Sequence, residues 1–320
     1  MDCVFEIGRR QLYVTGARWS AATVPANFRP FMRPLSRLAA GASHLAVEVA
    51  DCAPRMPQTA ALSVSFNDLG RAAIHDGGTV WSIVLTPRPG EEPRVMEMDK
   101  NLRSATLRLR PSDRYADFVI DSMTRIFFSQ AVALTGALIT HASVVGCGAR
   151  AYMFMGRSGT GKSTHSRLWL DAFGDCTLIN DDCPLVIPES DGGYTVCGTP
   201  WSGKTACWRD ESRRLAGIAR LRQAPFNRFS PITGVDAFVA FIPGMSVMTC
   251  ASALYSQASG TALALTSAVP VAMLDCLPDR GAALVCRRGF EAASLIGAET
   301  RTGSRDAINR VRETGSNFLA

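Results

Sequence analysis

The sequence predicts an α/β fold in which a β-rich N-terminal domain precedes a domain of strands and helices built around a glycine loop. Three observations carry that expectation. Short β-like runs separated by Pro and Gly clusters fill residues 1–110. A pattern of helical period follows over 111–136. An apolar segment, a Gly-rich loop and an amphipathic stretch then succeed one another over 152–173. With 320 residues the chain can hold a large core and two domains, and 47% hydrophobic with 19% charged residues is a globular composition.

In the N-terminal domain, Tyr13, Val14, Trp19, Phe28 and Phe31 are candidate core residues. Strands are expected at Leu62–Phe66, Thr79–Leu85, Arg94–Met98 and Ala105–Leu109, with Pro87-Arg88-Pro89-Gly90 as a turn. None of these names a chemistry. The second domain, 111–290, opens with a helix that Ser112 or Asp113 can cap. Tyr115, Val119, Met123, Ile126 and Phe127 form its apolar face. Strands Ala137–Val145 and Arg150–Met155 flank a turn at Gly146-Cys147-Gly148. Beyond the loop, strands are expected at Cys176–Ile179, Pro184–Ile187, Tyr194–Cys197, Gly217–Leu221 and Val269–Leu274. Helices are expected at Val235–Phe241, Ser246–Ala264 and Asp279–Cys286, and residues 291–320 read as a polar, Arg-rich tail.

The loop itself is Gly156-Arg157-Ser158-Gly159-Thr160-Gly161-Lys162-Ser163, continued by Thr164, and it fits G-x-x-x-x-G-K-[ST]. Tyr152 to Met155 ahead of it have the character of a buried strand, and Leu168, Trp169, Ala172 and Phe173 behind it share one helical face. Glycines let such a loop wrap a phosphate closely, and backbone N–H groups with the helix N-terminus present positive charge to it. Lys162 would meet the β/γ-phosphates and the Ser163 hydroxyl would hold Mg²⁺. Of 34 basic residues only Lys100, Lys162 and Lys204 are lysines, and two of these stand in Gly-Lys-Ser/Thr contexts. A compact ammonium fits beside phosphates where a guanidinium fork does not.

Gly198 to Thr205 is formally a second match, but Pro200 removes an N–H donor and no amphipathic helix follows. It reads as a loop lending Lys204 or its backbone to the same site, or as a structural turn. Phosphoryl transfer also needs an acid on the metal and a group that positions or deprotonates the attacking hydroxyl. Asp181 and Asp182, adjacent at the exit of an apolar strand, suit both tasks; the alternative is a solvated Asn-Asp-Asp turn.

Other classes are argued against. A net charge of +6 suits an anionic ligand, but no basic stretch interleaved with aromatics points to nucleic acid. The ten cysteines include no C-x-x-C pair, which argues against zinc and for buried free thiols in a reducing cytoplasm. Met1 to Glu6 lack a signal pattern, and the longest apolar run, Phe127 to Val145, is interrupted by Gln130, Gly136 and His141, so no membrane span is expected. Homo-oligomerisation is left open.

His141 one strand before the loop, and Asp181-Asp182 following Lys162 by 19 and 20 residues, form an arrangement that resembles the HPr kinase/phosphorylase family. That family shares its nucleotide fold with ATP-dependent phosphoenolpyruvate carboxykinase. The resemblance covers residues 135–205 and, for the fold, extends to 288. It implies a P-loop domain with a mixed sheet and flanking helices, and the use of ATP and Mg²⁺. It implies Asp182 as general base, His141 and Lys162 on the phosphates, Ser163 as magnesium ligand and Asp181 beside the metal. Residues 156–164 and Lys204 would bind the nucleotide. The family's Glu ahead of an Arg-Gly-x-Gly segment has no counterpart, since Cys197-Gly198-Thr199-Pro200-Trp201 stands there. The Gly198–Thr205 loop and Thr164-His165-Ser166-Arg167 resemble divergent, peptide-modifying relatives. The expected activity is Mg-ATP-dependent transfer to a hydroxyl, of a serine in a protein or peptide or of a small metabolite. A nucleotide-binding regulator without turnover and a carboxykinase-type phosphotransferase are the alternatives. His165 reads as helix surface, and Arg209, Arg213 and Arg214 as contacts for an acidic substrate or as a solvated face.

Overall fold

The structure is a computed structural model that describes residues 2–17, 19, 22–37, 44–67, 69–110, 112–203 and 205–294. Lys204 and most of the expected tail lie outside the described residues. Short strands rich in Val, Leu, Ile and Met alternate with Gly and Asp turns, and they assemble into two mixed sheets. The first is made of β1 (Cys3–Ile7), β2 (Arg10–Thr15), β3 (Met32–Arg33), β4 (Leu45–Asp51), β5 (Ala61–Asn67), β6 (Gly70–Asp76), β7 (Val80–Thr86), β8 (Arg94–Asp99) and β9 (Ser104–Leu109). Its order is β3-β1-β2-β4-β9-β8-β7-β6-β5, parallel only where β4 meets β2 and β9.

The helix α1 (Ala116–Ala133) leads to the second sheet. The helix starts later than the sequence suggests. Asp113 accepts the Tyr115 N–H at 2.8 Å, and Arg94 holds the same carboxylate at 2.8 and 2.9 Å. The hydrogen bond from Arg94, against the effect of burial, keeps the Asp113 carboxyl below its ordinary pKa.

The second sheet comprises β10 (Leu138–Ile139), β11 (Ala142–Cys147), β12 (Arg150–Met155), β13 (Cys176–Asp182), β14 (Leu185–Pro188), β15 (Tyr194–Cys197), β16 (Ser212–Gln223), β17 (Arg228–Ile232) and β18 (Val271–Cys276). The order is β10-β14-β15-β16-β12-β11-β13, with β18 pairing β16 and β17 pairing β18. Strand β16 runs parallel to β12 and β18; the other pairings are antiparallel. Around the sheet lie α2 (Lys162–Ala172), α3 (Gly234–Phe241), α4 (Ser252–Ala268) and a helix over 280–294. Four expectations need correction. The strand expected over 137–145 is broken at Thr140 and His141, the helix expected from Ser246 begins only at Ser252, β17 was not foreseen, and the last helix runs past Cys286 into the segment read as tail. Among the described residues no helix is long and apolar enough to cross a membrane.

One apolar core runs from Phe5, Trp19 and Phe28 through α1 to Leu185 and Val271, so both sheets share it. Trp201 is the joint. Its ring lies 6.1 Å from Phe28, in the connection between β2 and β3, and 5.3 Å from Phe128 on α1, so the Gly198–Thr205 loop reaches between that connection and α1. A second cluster, with Tyr152, Phe154, Trp169 and Phe290, packs α2 and the last helix onto the other face of the second sheet. Eight cysteines are free, but Cys147 and Cys176 are bridged, which departs from the expectation of free thiols alone.

A fully buried Trp carries one of the largest apolar payloads in a core. Trp201→Ala is therefore expected to cost about 3–5 kcal/mol of stability, read as a lowered denaturant midpoint at unchanged slope.

Candidate functional site

The second sheet sets the site through one cross-strand row. Ala142 pairs with Met155 on one side and Asp182 on the other, and Met155 pairs with Arg220. Thus the end of β13, the start of β11 and the end of β12 share one sheet edge with Arg220, near the end of β16. The glycine loop follows Met155 directly, and His141 directly precedes Ala142. The register depends on a bulge. Carrying the Cys147–Cys176 pairing straight along would set Asp181 opposite Ala142; unpaired Ile179 shifts the strand and sets Asp182 there instead. Gly146 makes room for it, since a Cβ there would stand 2.8 Å from the Ile179 side chain.

In the loop, Gly159 and Gly161 have φ of +79° and +105°, backbone that L side chains adopt poorly. Gly161 caps α2, whose first two residues are Lys162 and Ser163. Arg157, Ser158 and Gly159 are exposed, as is Thr164; Gly156 and Thr160 are half-buried. The loop is braced from within by Thr160, whose hydroxyl donates to the Arg157 carbonyl at 2.7 Å, and from β16 by Gln223, which donates to the Gly159 carbonyl at 3.3 Å.

Lys162, His141 and Asp182 form a continuous series. The Lys162 ammonium lies 2.9 Å from His141 Nε2, and His141 Nδ1 lies 2.7 Å from Asp182 Oδ1. A carboxylate only accepts, so Nδ1–H is the donor to Asp182. Lys162 also donates to the Gly156 carbonyl at 3.2 Å. Burial is the largest influence on Lys162 and lowers its pKa; Asp182 and Asp181 act against it, and Arg220 adds to it. For Asp182 the largest influence, burial, would raise the pKa. Hydrogen bonds from His141 and Cys183 and the charges of His141 and Arg125 outweigh it, and the carboxyl sits below its ordinary value.

Beside this series, Ser163 donates to Asp181 Oδ1 at 2.9 Å, joining the hydroxyl and the buried carboxylate that the sequence pairs on one cation. Oxygen ligands of this kind suit Mg²⁺, which keeps waters and takes substrate oxygens for the rest of its shell. The loop's open glycine backbone, the ammonium and this pair fit a magnesium nucleotide.

The Gly198–Thr205 loop lies along the acid pair. Gly203 N–H donates to the Asp181 carbonyl at 2.7 Å, and Ser202 bridges Asp182. A Cβ on Gly203 would stand 3.0 Å from that carbonyl, so a side chain there would push the two backbones apart by a few tenths of an ångström. Asn180 ties the loop down, its amide donating to the carbonyls of Thr199 and Trp201 at 3.3 and 3.1 Å.

Sequence reasoning missed two cations. Arg125 on α1 has its Nη1 3.7 Å from Asp182 Oδ2, the oxygen that His141 leaves free. Arg220, in the cross-strand row, donates to the Ala240 carbonyl at 2.9 Å; burial first, then the charge of Arg157, lowers its pKa. No local pattern marks either one, because each reaches the site from a separate element. His165 is not helix surface but core. It is 2% exposed, edge-on to Phe154 at 4.6 Å, and its Nε2 accepts from the Trp169 indole at 3.0 Å. Arg209 and Arg213 pair with Glu211, and Arg214 with Asp191.

No protein-family model matches the chain, and no curated protein matches it. Among solved structures it is similar to the Hpr(Ser) kinase/phosphatase from Coxiella burnetii. Identity is 12%, over 52% of this chain and 96% of that chain, with a TM-score of 0.32. So slight a likeness carries neither fold nor function.

Burial pushes the His165 pKa down from 6.5 to about 4, so the folded state binds this proton less readily than the unfolded chain. Its contribution is complete above the unfolded value and is lost as pH falls through 6.5 towards 4, in all about 3 kcal/mol. His165→Gln should flatten the fall in unfolding free energy over that window, measured by denaturation at a series of pH values.

Proposed function

We propose that this chain is a Mg-ATP-dependent phosphotransferase of HPr kinase-like type. It would transfer the γ-phosphoryl group to a hydroxyl, of a serine in a protein or peptide or of a small metabolite. The observation that carries the reading is the hydrogen-bonded series Asp182–His141–Lys162 at the mouth of the glycine loop, with Ser163 on Asp181 beside it. A phosphate-binding loop alone serves many ends. An acid joined through a His to the loop lysine suits the movement of a proton next to a phosphate.

In this reading the loop's backbone N–H groups and Lys162 bind and orient the phosphates, and Ser163 with Asp181 holds Mg²⁺. Bound magnesium would neutralise phosphate charge. Asp182 orients the acceptor hydroxyl and takes its proton at Oδ2, while His141 holds Oδ1. Lys162 and Arg220 set positive charge along the edge where transferred oxygens would lie, with His141 between Lys162 and Asp182. A carboxyl held below its ordinary pKa is ionised at neutral pH and so ready to accept the proton. The Gly198–Thr205 loop, including Lys204, would form the opposite wall of the nucleotide site.

Radiolabelled ATP incubated with candidate hydroxyl acceptors tests the reading. Asp182→Asn should lower transfer by about 10²–10⁴-fold while leaving ATP binding intact, as expected for loss of a general base. Lys162→Ala should abolish turnover. Undiminished transfer by Asp182→Asn would sink the base assignment, and tight ATP binding by the wild type with no product would sink the kinase.

A further inference from the structure

Among the described residues, the last strand of the first sheet, β5, is bonded on one side alone. It ends the strand order and pairs with β6 and no other described strand. Its residues, Ala61-Leu62-Ser63-Val64-Ser65-Phe66-Asn67, include no charge and no proline, although 19% of the chain is charged. Natural sheets guard such edges with charge, proline, strong bulges or a cover, because open N–H and C=O groups invite another strand. The one irregularity in β5 is a shift between Ala61 and Ser63, at its start.

The strand also reverses the polarity of its sheet. Ser63 and Ser65 pair with Ile74 and Ala72, whose side chains pack on the main core. Val64 pairs with Ala73, and Ala73, Val84 and Val95 are successive neighbours forming a small buried cluster of their own. Val64 therefore continues a buried apolar row, yet it is 44% exposed, and its face-mates Leu62 and Phe66 are 53% and 79% exposed. The row stops at an edge where a further strand would carry it on.

We infer that β5 is the contact of a homodimer, in which the β5 strands of two copies pair antiparallel across a two-fold axis at Val64 and make one continuous sheet. The strand is its own complement. About that axis Val64 faces the partner's Val64, Leu62 faces the partner's Phe66, and Ser63 faces the partner's Ser65. No like charges meet, and apolar residues meet apolar ones on one face while serines meet on the other. An acidic or basic peptide would find no charge on this strand to recognise. Strand β5 lies eight strand spacings from β3, at the opposite end of the first sheet. A seven-residue edge buries less than a standard interface, so the dimer is reversible and its fraction varies with concentration.

Sedimentation of the full chain over a concentration series tests this, with ATP consumption as control. The wild type should pass from monomer to dimer as concentration rises. Val64→Lys and Phe66→Lys, both on exposed positions, should stay monomeric with unchanged melting temperature and unchanged ATP consumption. Register is read by mild oxidation of single-cysteine additions against the wild-type background. Directly opposed Cα atoms in an antiparallel pair lie about 4.5–5.5 Å apart, within disulfide reach. Val64→Cys should cross-link to itself, whereas Leu62→Cys should cross-link when mixed with Phe66→Cys and not alone. A wild type that is monomeric at every concentration overturns the inference. So does a dimer that survives Val64→Lys, or equal self-linking of the three cysteine variants.

Discussion

Everything at the candidate site hangs on the hydrogen-bond ladder that sets Asp182, Ala142, Met155 and Arg220 side by side across β13, β11, β12 and β16. The ladder turns three distant stretches of sequence into one edge. Antiparallel pairing of β11 with both neighbours sends β12 and β13 the same way, so the chain leaves each of them at the same end. Ligands in open α/β sheets sit outside the carboxyl ends of strands for the same reason. A one-residue slip between β11 and β13 would turn the acid pair over. The bulge at Ile179, packed against Gly146, therefore settles which aspartate meets His141.

The two sheets are not independent supports for that edge. The loop that runs beside the aspartates is held at one end by Asn180 and Thr199, and pinned by Trp201 against Phe28 of the β2–β3 connection and Phe128 of α1. Arg33 pairs with Asp210 and Arg9 with Glu189, so strands β1 to β3 reach the same region from outside. The N-terminal region thereby acts on the site through packing, without supplying a residue to the Asp182–His141–Lys162 series.

The glycine loop, the Ser163 hydroxyl and the acid pair were legible in the sequence because their chemistry is local. Positive-φ glycines, a lysine in an arginine-rich chain and two adjacent acids after an apolar run all leave contiguous traces. The break at His141 left none. Its N–H donates to the Gly244 carbonyl at 2.7 Å, a partner over a hundred residues away that no periodicity announces. Arg125 and Arg220 were hidden likewise, looking like ordinary arginines until α1 and β16 met the edge. His165 misled because a polar residue after Thr164 suggests solvent, while its ring in fact fills space between Phe154 and Trp169. In the first half, β5 to β9 overlap the β-like runs read from the sequence except at β6, whereas β1 to β4 were missed. In β1 the alternation is blurred by burial on both faces, as in Cys3-Val4-Phe5, whereas β2 and β4 do alternate, burying Leu12 and Val14 and Val47 and Val49.

The bridge between Cys147 and Cys176 spans the ends of β11 and β13 that lie farthest from His141 and Asp182. Between those two cysteines the chain makes β12, the whole glycine loop and α2. The segment that carries the glycine loop is thus closed into a covalent ring. A protease cut within the exposed Arg157-Ser158-Gly159 stretch would leave both fragments joined, and the nick would show only after the thiols were reduced.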